Sequence, residues 1–124
     1  MGLDLIIREK SDFRTDDKGR EVYTTTQLAN LRNCWQILDS LNWNLDNGFE
    51  NCGTHYFYES TFFKILHSFQ EEIKTEENEE QVKQLKYEIA KLEEFIKENG
   101  LIEDEEQDDE DGGYGREFEV HAWW

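Results

Sequence analysis

Along residues 3–9 (LDLIIRE) Leu3, Leu5 and Ile7 fall on one side at a spacing of two, with Asp4, Ile6 and Arg8 on the other. Period-two alternation is the pattern of a half-buried strand, so the chain is predicted to open on one. Asp16-Asp17-Lys18-Gly19 supplies turn residues, and Arg20–Tyr23 can pair back as a second short strand. Thr24, with Gln27 three positions later, has the form of a capping box. Leu28, Leu31, Trp35 and Leu38 then recur at spacings of three and four, flanked by Cys34, Ile37 and Leu41. That pattern predicts an amphipathic, Trp-bearing helix over about residues 26–41.

Residues 42–53 are rich in Asn and Gly and read as a loop, and Thr54–Tyr58 (THYFY) reads as a strand. Ser60 is placed to cap a helix carrying Phe62, Phe63, Leu66, Phe69 and Ile73. A second apolar stripe runs through Val82, Leu85, Ile89, Leu92 and Ile96, with Phe95 beside it. Ile73 and Val82 are nine positions apart, which at about 100° per residue puts them on opposite faces of one straight helix. With Asn78 and Gln81 placed as a cap, two helices broken near 75–79 and packed as an αα-hairpin are expected; the alternative is one long bent helix. Asn99-Gly100 is a stop signal. Residues 116–123 alternate again, with Phe118, Val120 and Ala122 on one face, and predict a final strand that joins the N-terminal ones. The expected fold is α+β: a small antiparallel sheet from the N- and C-terminal strands, packed against the Trp-bearing helix and the hairpin. Its 124 residues suit a single domain, 1–124, with a flexible acidic segment at 103–113.

Charge narrows the functional classes. The formal net charge is −17, and it is concentrated. Residues 71–80 hold six acids against one lysine, and Glu103–Asp111 (EDEEQDDED) holds eight acids in nine residues. The intervening stretch 81–98 balances Lys83, Lys86, Lys91 and Lys97 against Glu88, Glu93, Glu94 and Glu98. Such a field repels phosphate backbones and anionic membranes and draws in basic surfaces. A basic, nucleic-acid-binding protein is therefore the expected partner, with neither direct nucleic acid nor membrane contact. No segment approaches the roughly 20 apolar residues of a membrane span. Cys34 and Cys52 read as free thiols of a reducing compartment, so the expected location is cytoplasmic. The plainest account of the acid runs is solvation. The sharper one is phosphate mimicry, in which carboxylates on a rigid helix end occupy a groove that normally holds a nucleic acid backbone.

Catalytic chemistry finds little support. Cys34, Cys52, His55 and His67 have the right types for zinc but lack a second close pair. Cys52 and His121 carry no accompanying oxyanion-hole motif, no phosphate-binding Gly-rich loop occurs, and the acid run lacks the register of a calcium loop. No catalytic residue, metal or other cofactor is expected. Trp123 and Trp124, adjacent on a strand, must point to opposite faces, so at least one is expected at the surface or an interface.

The opening Met1-Gly2-Leu3-Asp4-Leu5, Trp35 in the first helix, and Asn51-Cys52-Gly53 leading to Tyr58-Glu59-Ser60 resemble small phage and prophage proteins that begin MGLD-Met/Leu. The stretch 112–120 (GGYGREFEV) is loosely similar to a Gly-Gly-aromatic-Glu-Val ending found in some of them, whereas the Glu-rich helix end and the acid run depart from that pattern. The resemblance implies a phage or mobile-element origin. By composition alone, small acidic phage proteins are similar to inhibitors of host defence such as anti-CRISPR and anti-restriction proteins. The leading expectation is an inhibitor of a basic, nucleic-acid-handling defence protein, a CRISPR effector being one such target. It would bind through Glu71, Glu72, Glu76, Glu77, Glu79, Glu80, Asp108, Asp109, Trp123 and Trp124. The alternative is a structural or assembly accessory that self-associates through aromatic surfaces; a metal-dependent or cysteine enzyme ranks third.

Overall fold

The computed structural model describes residues 2–43, 45, 48–103 and 115–124. In chain order they form β1 (Asp4–Thr15), β2 (Glu21–Asn30), α1 (Trp35–Asn42), β3 (Gly53–Tyr58), α2 (Glu59–Thr75), α3 (Glu79–Glu98) and β4 (Glu117–Trp123). The four strands make one antiparallel sheet in the order β2-β1-β4-β3. The fold is α+β, and strands from both ends of the chain lie side by side at the centre of the sheet. Register is set by alternation: Leu5 faces Ala122, and Ile7 faces Val120. Slipping the pairing by one residue would turn these side chains to water.

The apolar face of the sheet packs on the helices. Leu3, Leu5, Ile7, Phe118, Val120 and Ala122 are all buried. Phe118 meets Phe62 of α2 and Phe95 of α3 in an edge-to-face triangle with ring centroids 5.2–6.0 Å apart. Each such ring contributes about 1.5–3 kcal/mol by burial and about 0.5–1.5 kcal/mol more per favourable pair.

The expected helix over 26–41 is corrected. Residues 21–30 continue as strand β2, and only Trp35–Asn42 is helical. Val22, Thr24, Thr25 and Thr26 are β-branched and favour extended backbone. Thr24 does not cap a helix; its hydroxyl pairs with that of Ser11 on β1 at 3.1 Å. Leu31 N–H and Asn33 N–H prolong the pairing, donating to Leu5 and Leu3 carbonyls at 2.8 Å. Asn33 (φ 59°) then turns the chain into α1. Trp35 opens that helix half-exposed and packs on Trp124. The helix has Cys34 at its N-cap with no side-chain cap of its own, a role Glu88 of α3 takes over.

The helical hairpin forms where the opposed stripes demand it. α2 ends at Thr75, α3 starts at Glu79, and Asn78 Oδ1 accepts from the N–H groups of Glu80 (3.0 Å) and Gln81 (3.2 Å). Ser60, expected as the α2 cap, lies inside the first turn and is buried, because Tyr58 occupies the cap position. At the far end Gly100 takes φ 62°, and Leu101 N–H returns to the Ile96 carbonyl at 3.0 Å, a left-handed stop that favours glycine.

Candidate interaction surfaces

The acidic corner between α2 and α3 divides by role. Glu76 is half-buried, and its carboxylate accepts from Asn78 N–H at 3.0 Å, so it builds the turn. Glu71 pairs with Lys74 at 2.9 Å, and that contact holds its carboxyl below the ordinary range. Glu72, Glu77, Glu79 and Glu80 are exposed. Glu79 and Glu80 sit in the first turn of α3, where the helix dipole favours negative charge. Glu72 borders an open cavity of about 460 Å³ shared with Gln36, Asp39, Ser40 and Gln81. The corner thus offers four exposed glutamates around a turn that the side chains of Glu76 and Asn78 anchor to the backbone.

The second acidic block starts from a built base. Asp108 and Asp109 lie outside the described residues, as do the other acids of 104–111. Glu103 is described, and its carboxylate meets His67 at 2.9 Å. Buried Glu59, the first residue of α2, accepts from Ile102 N–H at 2.9 Å and from Arg116 N–H at 3.2 Å. One carboxylate therefore ties both flanks of the acidic block together. Arg116 adds a two-pronged pair with Glu9 of β1, one prong at 2.7 Å, and donates to the Asn99 carbonyl at 2.7 Å. Nothing local in the sequence signals this clamp, since Glu9 and Arg116 are 107 positions apart.

The sheet face turned away from the helices carries no buried side chain: Ile6, Arg8 and Lys10 of β1, Glu119, His121 and Trp123 of β4, and Thr54, Tyr56 and Tyr58 of β3 are all half-buried or exposed. At its centre Lys10 Nζ lies 4.4 Å from the Tyr23 ring centroid, 4.6 Å from that of Tyr56 and 3.6 Å from Glu117. Tyr23 donates to Glu119 at 2.9 Å, and its hydroxyl is held protonated above the ordinary range by contact with Tyr56, by burial and by Glu119. This row links all four strands. The two tryptophans separate as their adjacency requires: Trp123 is exposed on the open face, while Trp124 folds against Trp35 with ring centroids 6.3 Å apart. Charge segregates too. Residues 1–32 balance six cations against six acids, so the whole −17 arises from residues 33–124.

The Cys and His residues are dispersed. Cys34 is buried, and burial pushes its thiol up to about 12. Cys52 is exposed, His55 packs edge-on to Phe49, His67 pairs with Glu103, and His121 shares a hydrogen bond with Thr54 at 2.8 Å. Among the described residues no three His, Cys, Asp or Glu side chains cluster as a metal site, and no helix is long and apolar enough to cross a membrane. Comparison of the chain with protein-family models, curated proteins and solved structures returns no match.

Proposed function

We propose that this chain is a non-catalytic binding protein that presents the α2–α3 corner to the basic surface of a nucleic-acid-handling protein. The observation that carries the reading is the corner itself. Glu72 stands on the last turn of α2, Glu77 in the connecting turn held by Asn78 and Glu76, and Glu79 and Glu80 on the first turn of α3, so the backbone fixes where these four side chains start. Carboxylates carried on a fixed backbone can match the phosphate-binding cations of a groove at a reduced ordering cost. α3 has 20 residues and so spans about 30 Å; the acids of 104–111 follow it in the sequence and add to the attracting field. The resemblance of the chain's opening and ending to small phage proteins directs the search to host defence proteins, CRISPR effectors among them, as targets to be blocked.

The test is affinity capture with the tagged full-length chain, followed by binding measurements on the recovered partner. A basic partner that releases nucleic acid when the chain binds, and is lost on reversing Glu72, Glu77, Glu79 and Glu80 to Lys, supports the reading. A partner that binds the reversed variant equally well overturns it.

A further inference from the structure

The two edges of the sheet are built differently. β2 meets β1 with register shifts at Ile7/Arg8 and again at Ser11/Arg14, and Asp12 sits at φ 52°. Bulges of this kind twist an edge away from further pairing. β3 pairs with β4 over six consecutive residues, Gly53 to Tyr58, without a shift. Its sequence, GTHYFY, contains no Asp, Glu, Lys, Arg or Pro, in a chain of which 35% is charged. Charged residues, proline and bulges are the usual guards of an edge strand. β3 has no charge or proline, and its one bulge lies at its entry, where Cys52 (φ 65°) donates to the carbonyl of Ala122, the residue that Gly53 also faces, leaving Thr54 to Tyr58 regular. Its open-face side chains, Thr54, Tyr56 and Tyr58, are exposed, and among the described residues no further strand pairs with its outer side.

We infer that β3 is a self-association edge, on which the β3 strand of a second copy pairs antiparallel across a two-fold axis to give a continuous eight-stranded sheet. The choice of a second copy rests on charge. The edge bears no formal charge, so nothing on it selects a basic or an acidic segment, whereas the strand matches itself. With the axis through Tyr56, the pairs on the open face are Tyr56 with Tyr56 of the partner subunit, and Thr54 with Tyr58 of the partner subunit. Aromatic pairs opposite one another stabilise a ladder, and an isologous contact closes at two chains without seeding a filament. The acidic corner is on neither edge strand, so each subunit keeps its own binding surface.

The experiment uses the full chain. Sedimentation equilibrium of the wild type is expected to show a dimer. Tyr56→Lys sets two ammonium groups opposite each other and is expected to give a monomer, with its circular dichroism spectrum unchanged. In a Cys52→Ser background, Tyr56→Cys is expected to form a disulfide-linked dimer in air, because directly opposed Cα atoms lie about 4.5–5.5 Å apart, within disulfide reach. The same change at Gln27 on β2 is expected not to cross-link. A monomeric wild type overturns the inference, as does a dimer that survives Tyr56→Lys while the Tyr56→Cys variant fails to cross-link. Should Tyr56→Lys not fold, the cross-link decides alone. Reversing the corner glutamates leaves the oligomeric state unchanged, which separates this result from failure of the binding reading.

Discussion

The carboxylate of Glu88, on α3, accepts a hydrogen bond from the backbone N–H of Ile37, on α1, at 2.8 Å. Its second oxygen meets Gln36 N–H at 3.3 Å and Gln84 Nε2 at 2.8 Å. α1 has only eight residues and no cap in its own sequence, so a fully buried acid 51 positions away satisfies its first N–H groups. Glu88→Ala strands these donors in the core and is expected to cost about 2–4 kcal/mol, measured by urea denaturation. Glu88→Gln keeps one acceptor and is expected to cost about half as much.

Burial raises the Glu88 carboxyl above the ordinary value of 4.5, against the lowering effect of Gln84 and the two α1 amides. The folded chain therefore holds this proton more tightly than the unfolded chain. Wild-type stability falls as pH rises from the ordinary carboxylate range through the raised value. Glu88→Gln has no proton to lose, so its deficit relative to wild type should shrink over that window. A deficit that widens with pH would show that the ionised carboxylate is the favoured form.

Glu9 works in the opposite sense. The hydrogen bonds from Arg116 lower its carboxyl below 4.5. The stability this pair gives is present above the ordinary carboxylate range and is lost as pH falls through the lowered value. Both side chains are partly open to water, which limits the gain from the pair to about 1–2 kcal/mol. Arg116→Lys loses the two-pronged geometry and is expected to lower the melting temperature at neutral pH. The gap should close in acid.

Gly115 tests the clamp below the acidic block from another side. It has φ 95°, and a Cβ there would fall 2.5 Å from Glu59 Oε1 and 2.9 Å from Glu59 Cβ. Gly115→Ala therefore forces a strained backbone and pushes away the carboxylate that holds Ile102 and Arg116. About 1–3 kcal/mol of destabilisation is expected, read by thermal unfolding. The same change at Gly19 has open space around it and should cost only the backbone strain of its positive φ.

What could be read in the sequence was what local periodicity encodes. Phe118, Val120 and Ala122 alternate and proved to be the core face of β4; Ile73 and Val82 fell on opposed stripes and a turn lies between them. The misreading at 24–38 has a physical origin. Leu28, Leu31, Trp35 and Leu38 keep helical spacing, yet they belong in turn to a bulged strand, its extension, and a short helix. Three consecutive threonines outweighed that stripe. The site was less legible, because Glu59, Glu88 and Arg116 act over separations of 43 to 107 residues. No spacing rule reports such pairs, and each residue alone reads as a solvated charge.

The two acidic blocks should differ in kinetics. Glu72, Glu77, Glu79 and Glu80 stand on and between two packed helices and would dock, whereas the acids of 104–111 would act by steering. Charges within a tight contact govern dissociation, and charges outside it govern association and its salt dependence. Reversing the four corner residues to Lys should therefore abolish binding to a basic partner, and changing them to Gln should speed dissociation. Glu76 is kept, because its bond to Asn78 N–H holds the turn. Glu79→Lys and Glu80→Lys also oppose the α3 dipole by about 0.3–1 kcal/mol each, so the Gln variant separates lost charge from a frayed helix. Replacing the acids between Asp104 and Asp111 with Asn and Gln should slow association and flatten its salt dependence, with dissociation little changed. Surface plasmon resonance at two ionic strengths resolves both rates. If neutralising 104–111 instead speeds dissociation as much as the corner change does, that block docks as well, and the division of labour between the two is wrong.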